Sequence, residues 1–423
     1  MTFSLGDIIE LTVDRPVPGG DMLARVGHAT VFVSGGIPGE RVRARVRHQA
    51  RGVSFATVVE VLDASPDRRE VDGDAGCGGR RYAHIAYDVQ RRFKRDVILD
   101  AFSRVGRGLA PEVDEVVASP ETGYRVRAGL HLVQGRLGFY REGTHTLCDA
   151  RQTGQLLPAT FDVMAALERS LAGSSDAVAR VDLVENLPAT MRALSIVVRP
   201  GAPIRDVADR AAAVEGIDGI EVVDGDGRPR ASSGTPWVFD TFAREGAAWR
   251  VRHRPGSFFQ ANRHLLPTLV EWVVDAVADG PVVDLYAGVG VFGVAIAASR
   301  GLDVLLVEAD ARNLDDLRAN ARPWPTCGCE GTTVERCLRA GRPREAFTVV
   351  IDPPRAGLSA VARAELLRTR PARIVYVSCD PATFARDARE LVDAGYALGR
   401  VRPLDLFPGT AHVELVAAFE PPQ

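Results

Sequence analysis

Ile374-Val-Tyr-Val-Ser-Cys379-Asp-Pro-Ala-Thr-Phe384 has the pattern of a buried strand, a sharp turn and the start of a helix. The apolar, β-branched beginning predicts a parallel strand. Pro381 cannot donate a ladder hydrogen bond, so the strand ends before it, and Asp380 or Thr383 can cap the helix that follows. Cys379 is therefore expected at the carboxyl end of a parallel strand, where open α/β sheets bind their ligands.

Cys379 has two interpretations at this position. The positive end of a helix lowers the pKa of a nearby thiol, which makes the cysteine a better nucleophile. The alternative is a buried, inert cysteine, which is common in protein cores. The motifs on the neighbouring strands decide between the two.

Strand and helix patterns alternate from about Ser257 to the C-terminus, which predicts a doubly wound parallel sheet. The segment Pro323–Gly331 is predicted to be a loop, and Val413–Phe419 to form an antiparallel hairpin at one edge of the sheet. The predicted strands are Val282–Tyr286, Asp303–Val307, Phe347–Ile351 and Ile374–Val377, and the predicted helices include Phe292–Ser299 and Arg312–Ala321.

Residues 1–63 carry short apolar runs between Pro- and Gly-rich turns, which predicts a small β-barrel of the oligonucleotide-binding kind. One predicted strand alternates basic and apolar residues, so that its arginines share one face, namely Arg41, Arg43, Arg45 and Arg47. Their mutual repulsion favours RNA phosphate binding over a solvated face balanced by acids elsewhere. At Phe32-Val-Ser-Gly-Gly-Ile-Pro-Gly-Glu40 the segment resembles the TRAM domain of RNA-modifying enzymes.

Residues 64–256 are predicted to form a linker, a basic helix and a central unit that is β-rich or α+β. Ser65–Arg81 has the composition of a linker. Tyr82–Arg107 is predicted to be a helix whose basic residues, Lys94 among them, either face solvent or contact RNA. Pro158–Leu171 is a further predicted helix. The predicted units are thus 1–63, 64–256 and 257–423.

Composition limits the class of protein. A chain of 423 residues with 46% hydrophobic and 25% charged residues is typical of a soluble protein of several domains. It shows neither a signal peptide nor an apolar run that could cross a bilayer, so a cytoplasmic protein with no membrane partner is expected, and a monomer. The net charge of −3 means that any surface for nucleic acid is local.

Asp284-Leu-Tyr-Ala-Gly-Val-Gly-Val-Phe-Gly293 joins a predicted strand to a predicted helix. Gly288 and Gly290 would let a ligand approach the backbone and the helix N-terminus. Glu308 stands where a ribose-binding acid is expected. The pattern fits either a dinucleotide or S-adenosylmethionine.

A further strand ends in Asp352-Pro-Pro-Arg355. Methyltransferases that act on amino groups also use an acid before two prolines, followed by an aromatic residue that stacks on the base. Arg355 stands in that place, which argues against adenine as the target. Methylation of an amine also does not require a residue such as Cys379.

Carbon 5 of uracil is a target that does require a cysteine, because it is too weakly nucleophilic to attack a methyl sulfonium directly. A thiolate that adds to carbon 6 makes carbon 5 reactive, and a base must afterwards remove the carbon 5 proton. Glu414 is the candidate base; a surface glutamate on a strand is equally compatible with the sequence.

These motifs, together with Phe407-Pro-Gly-Thr-Ala-His-Val-Glu414, resemble the RNA 5-methyluridine methyltransferase family. Its members act on uridines of 23S ribosomal RNA or of the tRNA T-loop. The resemblance extends over nearly the whole chain. It implies a class I methyltransferase fold for the C-terminal unit and structured RNA as the partner, with 23S rRNA favoured over tRNA.

The resemblance also implies roles for individual residues. Cys379 matches the nucleophile and Glu414 the base. S-adenosylmethionine would be bound beside Gly288 and Gly290 by the matching positions Gln260, Tyr286, Glu308 and Asp352. The chain departs from many members at Ala287 and Val291, where those members carry Cys and Asn.

Some ribosomal-RNA members hold an iron–sulfur cluster on four cysteines. Cys77 and Cys148 match two of these positions, whereas Val71 and Arg80 occupy the others. Two thiolates cannot supply the usual four ligands, so no iron–sulfur cluster is expected. The remaining cysteines, Cys327, Cys329 and Cys337, have no fourth ligand at a zinc-like spacing, so no metal site is expected there either.

Two other functions compete with the enzyme. A catalytically inactive RNA-binding or folding factor could retain the same fold, and Val291 motivates that alternative. A nicotinamide-dependent oxidoreductase would fit the glycine pattern alone. The presence of Cys379, Asp352 and Glu414 together favours the methyltransferase.

Overall fold

The N-terminal strands close into a five-stranded barrel. The computed structural model of the chain describes residues 3–341 and 347–421. The barrel follows the order β1-β2-β3-β5-β4 and buries the apolar residues of its alternating strands, whereas the arginines of β4 point outward. Its strands are β1 (Ile8–Pro16), β2 (Met22–Val26), β3 (Ala29–Ser34), β4 (Arg41–Ala50) and β5 (Val53–Asp63).

The segment after the barrel is held in place by the rest of the protein. Arg69 N–H donates to His84 O, and Cys77 forms a disulfide with Cys148 of the central unit. The helix α1 (Tyr87–Arg104) follows, and it is shorter than the predicted 82–107. Its apolar face, including Ile98 and Phe102, packs into the C-terminal unit.

The central unit is a seven-stranded sheet in the order β12-β11-β10-β9-β6-β7-β8, with two helices on it. Its helices are α2 (Pro158–Leu171), with the predicted bounds, and α3 (Ile204–Ala212). Its strands are β6 (Arg127–Val133), β7 (Arg136–Tyr140), β8 (Leu147–Cys148), β9 (Val178–Glu185), β10 (Arg192–Val198), β11 (Gly219–Val223) and β12 (Pro229–Gly234).

A hairpin of β13 (Val238–Arg244) and β14 (Ala247–His253) precedes the C-terminal sheet. Phe242, Trp249 and Val251 of this hairpin share a hydrophobic core with α4 (Leu266–Ala276) and with the C-terminal sheet. The hairpin thus packs with the third unit, although it lies before residue 257. The domain limits remain a prediction.

The C-terminal sheet has the order β17-β16-β15-β18-β19-β22-β20, with β21 paired to β22. From β15 the chain adds β16 and β17 on one side, and from β18 it adds the later strands on the other side. The strand order therefore reverses between β15 and β18. The strands are β15 (Val282–Leu285), β16 (Val304–Glu308), β17 (Cys327–Gly331), β18 (Thr348–Ile351), β19 (Arg373–Ser378), β20 (Ala397–Leu398), β21 (Arg402–Leu404) and β22 (Glu414–Glu420). The helices after α4 are α5 (Val291–Arg300), α6 (Ala311–Ala321), α7 (Val334–Arg339), α8 (Ala360–Thr369) and α9 (Pro381–Asp393).

Two predictions for this sheet were wrong. The segment Pro323–Gly331 is not entirely a loop, because β17 pairs in parallel with β16 and the pairing overrides a Gly- and Cys-rich sequence of low strand propensity. The strand β22 is antiparallel as predicted, but it does not lie at the edge, since β20 and β21 cover its outer side. Among the helices of the described ranges, none is both long and apolar enough to span a membrane.

Candidate active site

The glycine turn after β15 opens onto the point where the sheet reverses. Tyr286 has a φ of 60°, a left-handed conformation that bends the chain sharply out of the strand. Gly288 also has a positive φ, of 57°. A Cβ added at Gly288 would meet nothing closer than Phe258, at 3.7 Å, so a ligand can approach this backbone.

Acidic side chains surround this turn. The carboxylate of Glu308, at the end of β16, accepts hydrogen bonds from Gly288 N at 2.8 Å and Asp310 N at 2.6 Å. Asp284 Oδ2 accepts one from Gly293 N at 2.9 Å, and its Oδ1 is buried without a partner among the described residues. Burial and the nearby carboxylates raise the pKa of Asp284 to about 8.

A small cavity lies between this turn and the end of β18. Gln260 Nε2 donates to Asp352 Oδ2 across it, at 3.2 Å. Phe258 forms part of its wall with 58% of its surface exposed, which is unusual for a large apolar residue. Tyr286 and Val291 also line the cavity. The sequence had therefore placed Gln260, Tyr286 and Asp352 at one site.

Cys379 follows directly on β19 and is half-buried. The predicted cap is confirmed, since Asp380 accepts a hydrogen bond from Thr383 N at 2.8 Å at the start of α9. Burial, followed by the Glu414 and Asp352 carboxylates, raises the pKa of the Cys379 thiol to about 12. The expectation of a lowered pKa was wrong, because burial and the acidic neighbours, Asp380 included, outweigh the Arg355 guanidinium, which acts in the opposite direction.

Glu414 begins β22 and is buried, with 3% of its surface exposed. Burial and the Asp352 carboxylate raise its pKa well above the ordinary value, whereas Arg355 acts in the opposite direction. Burial also raises the pKa of Asp352 to about 7. The site thus brings a thiol and two carboxyl groups of raised pKa together with the Arg355 guanidinium.

The comparisons with known proteins show the family. A family model described as tRNA (Uracil-5-)-methyltransferase matches residues 344–419, and a TRAM domain model matches residues 3–59. The 23S rRNA (uracil(1939)-C(5))-methyltransferase RlmD of Pseudomonas putida is 31% identical over 97% of this chain and 93% of its own length. Its counterpart in Halomonas elongata is 32% identical over 98% of this chain and 89% of its own length. The chain belongs to the RNA uracil-C5 methyltransferase family.

The fold of this methyltransferase is also that of a solved relative. The tRNA (uracil-54, C5)-methyltransferase of Pyrococcus abyssi, solved in complex with S-adenosyl-L-homocysteine, superimposes with a TM-score of 0.79. It is 24% identical, and the match covers 97% of this chain and 99% of that chain. The predicted multidomain architecture, with a barrel and a methyltransferase sheet, is therefore confirmed.

Two arginines on the outward face of the barrel strand β4, which were expected to repel one another, are paired with acidic side chains. Arg41 forms ion pairs with Glu10 at 3.0 Å and Asp63 at 2.9 Å, and Arg43 pairs with Glu60 at 2.8 Å. Acids on the neighbouring strands therefore relieve the repulsion that had favoured phosphate binding. The other two side chains of this face, Arg45 and Arg47, are exposed.

The cysteines that match cluster positions of other family members are joined to each other in this methyltransferase, as the Cys77–Cys148 disulfide. Within residues 3–341 and 347–421, no group of three or more His, Cys, Asp or Glu could hold a metal ion. The other four cysteines, Cys379 among them, lie outside the disulfide.

Sequence reasoning missed two contributors to the site. Asp284 is the first residue of the glycine motif. Its position, an acid near the end of a buried apolar strand, could have marked it as a site residue. Phe258 gave no comparable signal, because only the structure shows that it lies exposed at the cavity.

Proposed function

We propose that this methyltransferase transfers a methyl group from S-adenosylmethionine to carbon 5 of a uridine in structured RNA, through a covalent adduct on Cys379. The observation that carries the proposal is the placement of Cys379 beside Glu414 and Asp352 at one edge of the sheet. Asp352 and Cys379 follow the carboxyl ends of β18 and β19, and Glu414 begins the antiparallel β22. A core cysteine without a chemical role has no need of two acidic neighbours.

The residues around the glycine turn fit the methyl donor. Glu308 is a carboxylate positioned for a ribose diol, and Asp284 leaves a buried oxygen without a partner. Gln260 and Asp352 add polar groups on the far side of the cavity, and Tyr286 and Gly288 form its floor. Such an acidic cavity suits a ligand that carries a sulfonium and an ammonium group. When bound, S-adenosylmethionine supplies an electrophilic methyl group.

Cys379 supplies the nucleophile. The thiol first loses its proton to solvent water. The sulfur then forms a bond to carbon 6 as the carbon 5–carbon 6 double bond opens, and the electron pair moves toward oxygen 4. Carbon 5 then has enough electron density to accept the methyl group, whose bond to the sulfonium sulfur breaks with the electron pair going to that sulfur, so that S-adenosyl-L-homocysteine leaves. Arg355, which lowers the pKa of the thiol, is the cationic group of the protein that favours the thiolate.

Glu414 completes the reaction as the base. It takes the proton from carbon 5, the double bond re-forms, and the bond between sulfur and carbon 6 breaks with its electron pair returning to sulfur. A buried carboxyl with a raised pKa is a stronger proton acceptor than an exposed one, which suits this step.

The target RNA is proposed to be 23S rRNA in preference to tRNA. Support comes from two relatives of 31% and 32% identity that are named for a 23S rRNA uracil, whereas the relative named for a tRNA uracil is 24% identical. The barrel arginines Arg45 and Arg47 would contact phosphates, together with Arg41 and Arg43 where RNA displaces their acidic partners.

The test uses transcripts of 23S rRNA and of tRNA with tritium at carbon 5 of uridine, incubated with S-adenosylmethionine. Tritium release should equal methyl incorporation and be larger for 23S rRNA. Cys379→Ala should abolish both, and Cys329→Ala, which removes a half-buried free cysteine of β17, should change neither.

Full tritium release by Cys379→Ala would contradict the proposal. RNA binding without any binding of S-adenosylmethionine in calorimetry would instead support the inactive RNA-binding factor.

A further inference from the structure

The only lysine of the chain, Lys94, is completely buried. It lies in α1, and its Nζ is 2.5 Å from Asp405 Oδ1 and donates to Phe407 O at 3.2 Å. One helical turn earlier, Gln90 is also buried, and its Oε1 accepts a hydrogen bond from Gly409 N at 2.9 Å. The helix α1 therefore binds, through an ion pair and hydrogen bonds, a turn that is more than 300 residues away in the sequence. The prediction that Lys94 faces solvent or RNA was wrong.

That turn, residues 405–412, leads directly to Glu414. Asp405 Oδ1 accepts a hydrogen bond from Phe407 N at 3.2 Å, and Phe407 O accepts one from Thr410 Oγ1 at 2.8 Å. Thr410 Oγ1 in turn accepts one from His412 N at 3.2 Å. A continuous chain of hydrogen bonds thus connects the Lys94 ammonium to the residues just before the proposed base.

A buried ion pair is a poor source of stability, because its desolvation offsets most of the attraction between the charges. The ion pair has a larger effect on geometry than on stability, because a compact ammonium holds several acceptors around one point. Lys94 is the only lysine, and all the other strongly basic side chains are arginines. This position therefore holds an ammonium group, which is smaller than a guanidinium. The two acceptors of Lys94 lie two residues apart within the turn.

We propose that Lys94 and Gln90 are positioning residues that hold the Glu414 carboxylate against the carbon 5 proton of the Cys379-bound uridine, by anchoring the 405–412 turn to α1. This inference rests on the proposed function, in which Glu414 removes that proton.

The proposal has a specific kinetic consequence. Methyl transfer to carbon 5 needs Cys379 but not the base, whereas release of the RNA needs Glu414 to take the proton while the sulfur–carbon 6 bond breaks. A displaced Glu414 therefore slows only the second event. The methylated RNA should then remain covalently attached to the protein.

The experiment uses methyl-labelled S-adenosylmethionine and a 23S rRNA transcript, with the covalent complex resolved on a denaturing gel. Glu414→Gln is the reference. Lys94→Met and Gln90→Leu should both accumulate labelled protein–RNA adduct, with turnover reduced on the order of 10- to 100-fold. Gln90→Leu exposes no buried charge, so it keeps the test valid if Lys94→Met folds poorly.

The matched control is Arg68→Met. It removes the partner of Glu40, another fully buried carboxylate, but in the barrel and away from the turn. It should lower the melting temperature and leave the adduct at the wild-type level. The double variant Lys94→Met/Asp405→Leu, which removes both charges, should recover melting temperature and still accumulate adduct.

The outcomes separate the two claims. Absence of adduct in Glu414→Gln would overturn the role of Glu414 and, with it, this inference. Adduct in Glu414→Gln but in neither Lys94→Met nor Gln90→Leu would overturn the inference alone. Equal accumulation in Arg68→Met, or full turnover in the double variant, would show that the pair acts through stability and would also overturn it.

Discussion

The Cys379 thiol is held in its protonated form by its surroundings. Burial and two carboxylates raise its pKa to about 12, from an ordinary value of 9.0. A pKa of about 12 leaves roughly 1 thiol in 10,000 ionised at pH 8. The resting protein is therefore protected from oxidation at this residue, and its reactivity depends on positive charge entering the site.

Alkylation of Cys379 by iodoacetamide should reflect this environment. The rate should rise about tenfold per pH unit from pH 8 through pH 10, where an ordinary thiol has begun to level off, because only the thiolate reacts. Glu414→Gln should increase the rate several-fold in the alkaline part of this range, where the Glu414 carboxyl is ionised, because it removes a negative charge that raises the thiol pKa. Peptide mass spectrometry measures the rate at Cys379 separately from the other cysteines; equal rates in the two proteins would contradict the coupling.

At the residue scale, local motifs were enough to nominate Cys379 and Glu414, and the family resemblance implied their roles as nucleophile and base, which remain predictions. The motifs could not show the electrostatic coupling between Cys379 and Glu414, which depends on the antiparallel pairing of β19 with β22. They also could not show which of the four exposed arginines of β4 form ion pairs. Arg41 and Arg43 do so with Glu10 and Glu60, which lie on other strands.

At the scale of elements, the contact of α5 with β15 and β16 shapes the glycine turn. A Cβ on Gly293 would lie 2.2 Å from the Leu306 side chain and 2.8 Å from Asp284 Oδ2. Gly293 is also the residue whose N–H donates to Asp284. The first turn of the helix can therefore approach the strands closely only when this position has no side chain.

Gly293→Ala should destabilise the methyltransferase sheet by about 1–3 kcal/mol, because the added methyl group overpacks a buried contact. It should also weaken S-adenosylmethionine binding by displacing the turn. Gly173→Ala is the control, since a Cβ there meets only the Arg210 guanidinium at 3.7 Å. Denaturant unfolding followed by circular dichroism measures the difference; equal midpoints for the two variants would contradict the close packing.

The elements with a clear periodicity were predictable. The helix α2 has its predicted bounds, Pro158–Leu171, because a proline starts it and its apolar residues recur with helical spacing. The strand β17 was missed because Cys327–Gly331 has no β-branched residue and becomes a strand only through pairing with β16. Such pairing depends on residues that are distant in the sequence.

At the scale of the whole molecule, contacts distant in sequence hold the segment after the barrel and the helix α1 in place. The Cys77–Cys148 disulfide ties the segment after the barrel to the central sheet across 71 residues. The Lys94–Asp405 ion pair ties α1 to the turn before β22. The composition of Ser65–Arg81 predicted a linker because these partners are invisible in a local window of sequence.

Thiol counting should detect the disulfide. The protein denatured without reductant should show four thiols, and six after reduction, because four of the six cysteines lie outside the disulfide. Reduction should lower stability by about 2–4 kcal/mol, since the cross-link restricts the unfolded chain. Cys77→Ser, which keeps the size of the side chain, should reproduce the loss in a thermal melt. Six thiols before reduction would contradict the cross-link.

The central claim is that Cys379 bonds to carbon 6 of a uridine, and a 23S rRNA transcript containing 5-fluorouridine tests it most directly. In 5-fluorouridine a fluorine replaces the carbon 5 proton, and a base cannot remove it. The sulfur–carbon 6 bond therefore cannot break by the usual route, and the adduct should persist after methylation. We predict a denaturant-stable protein–RNA complex that requires S-adenosylmethionine, maps by mass spectrometry to the peptide containing Cys379, and is absent in Cys379→Ala. Normal methylation of unmodified RNA with no such complex, or a complex that maps to another residue, would contradict the account.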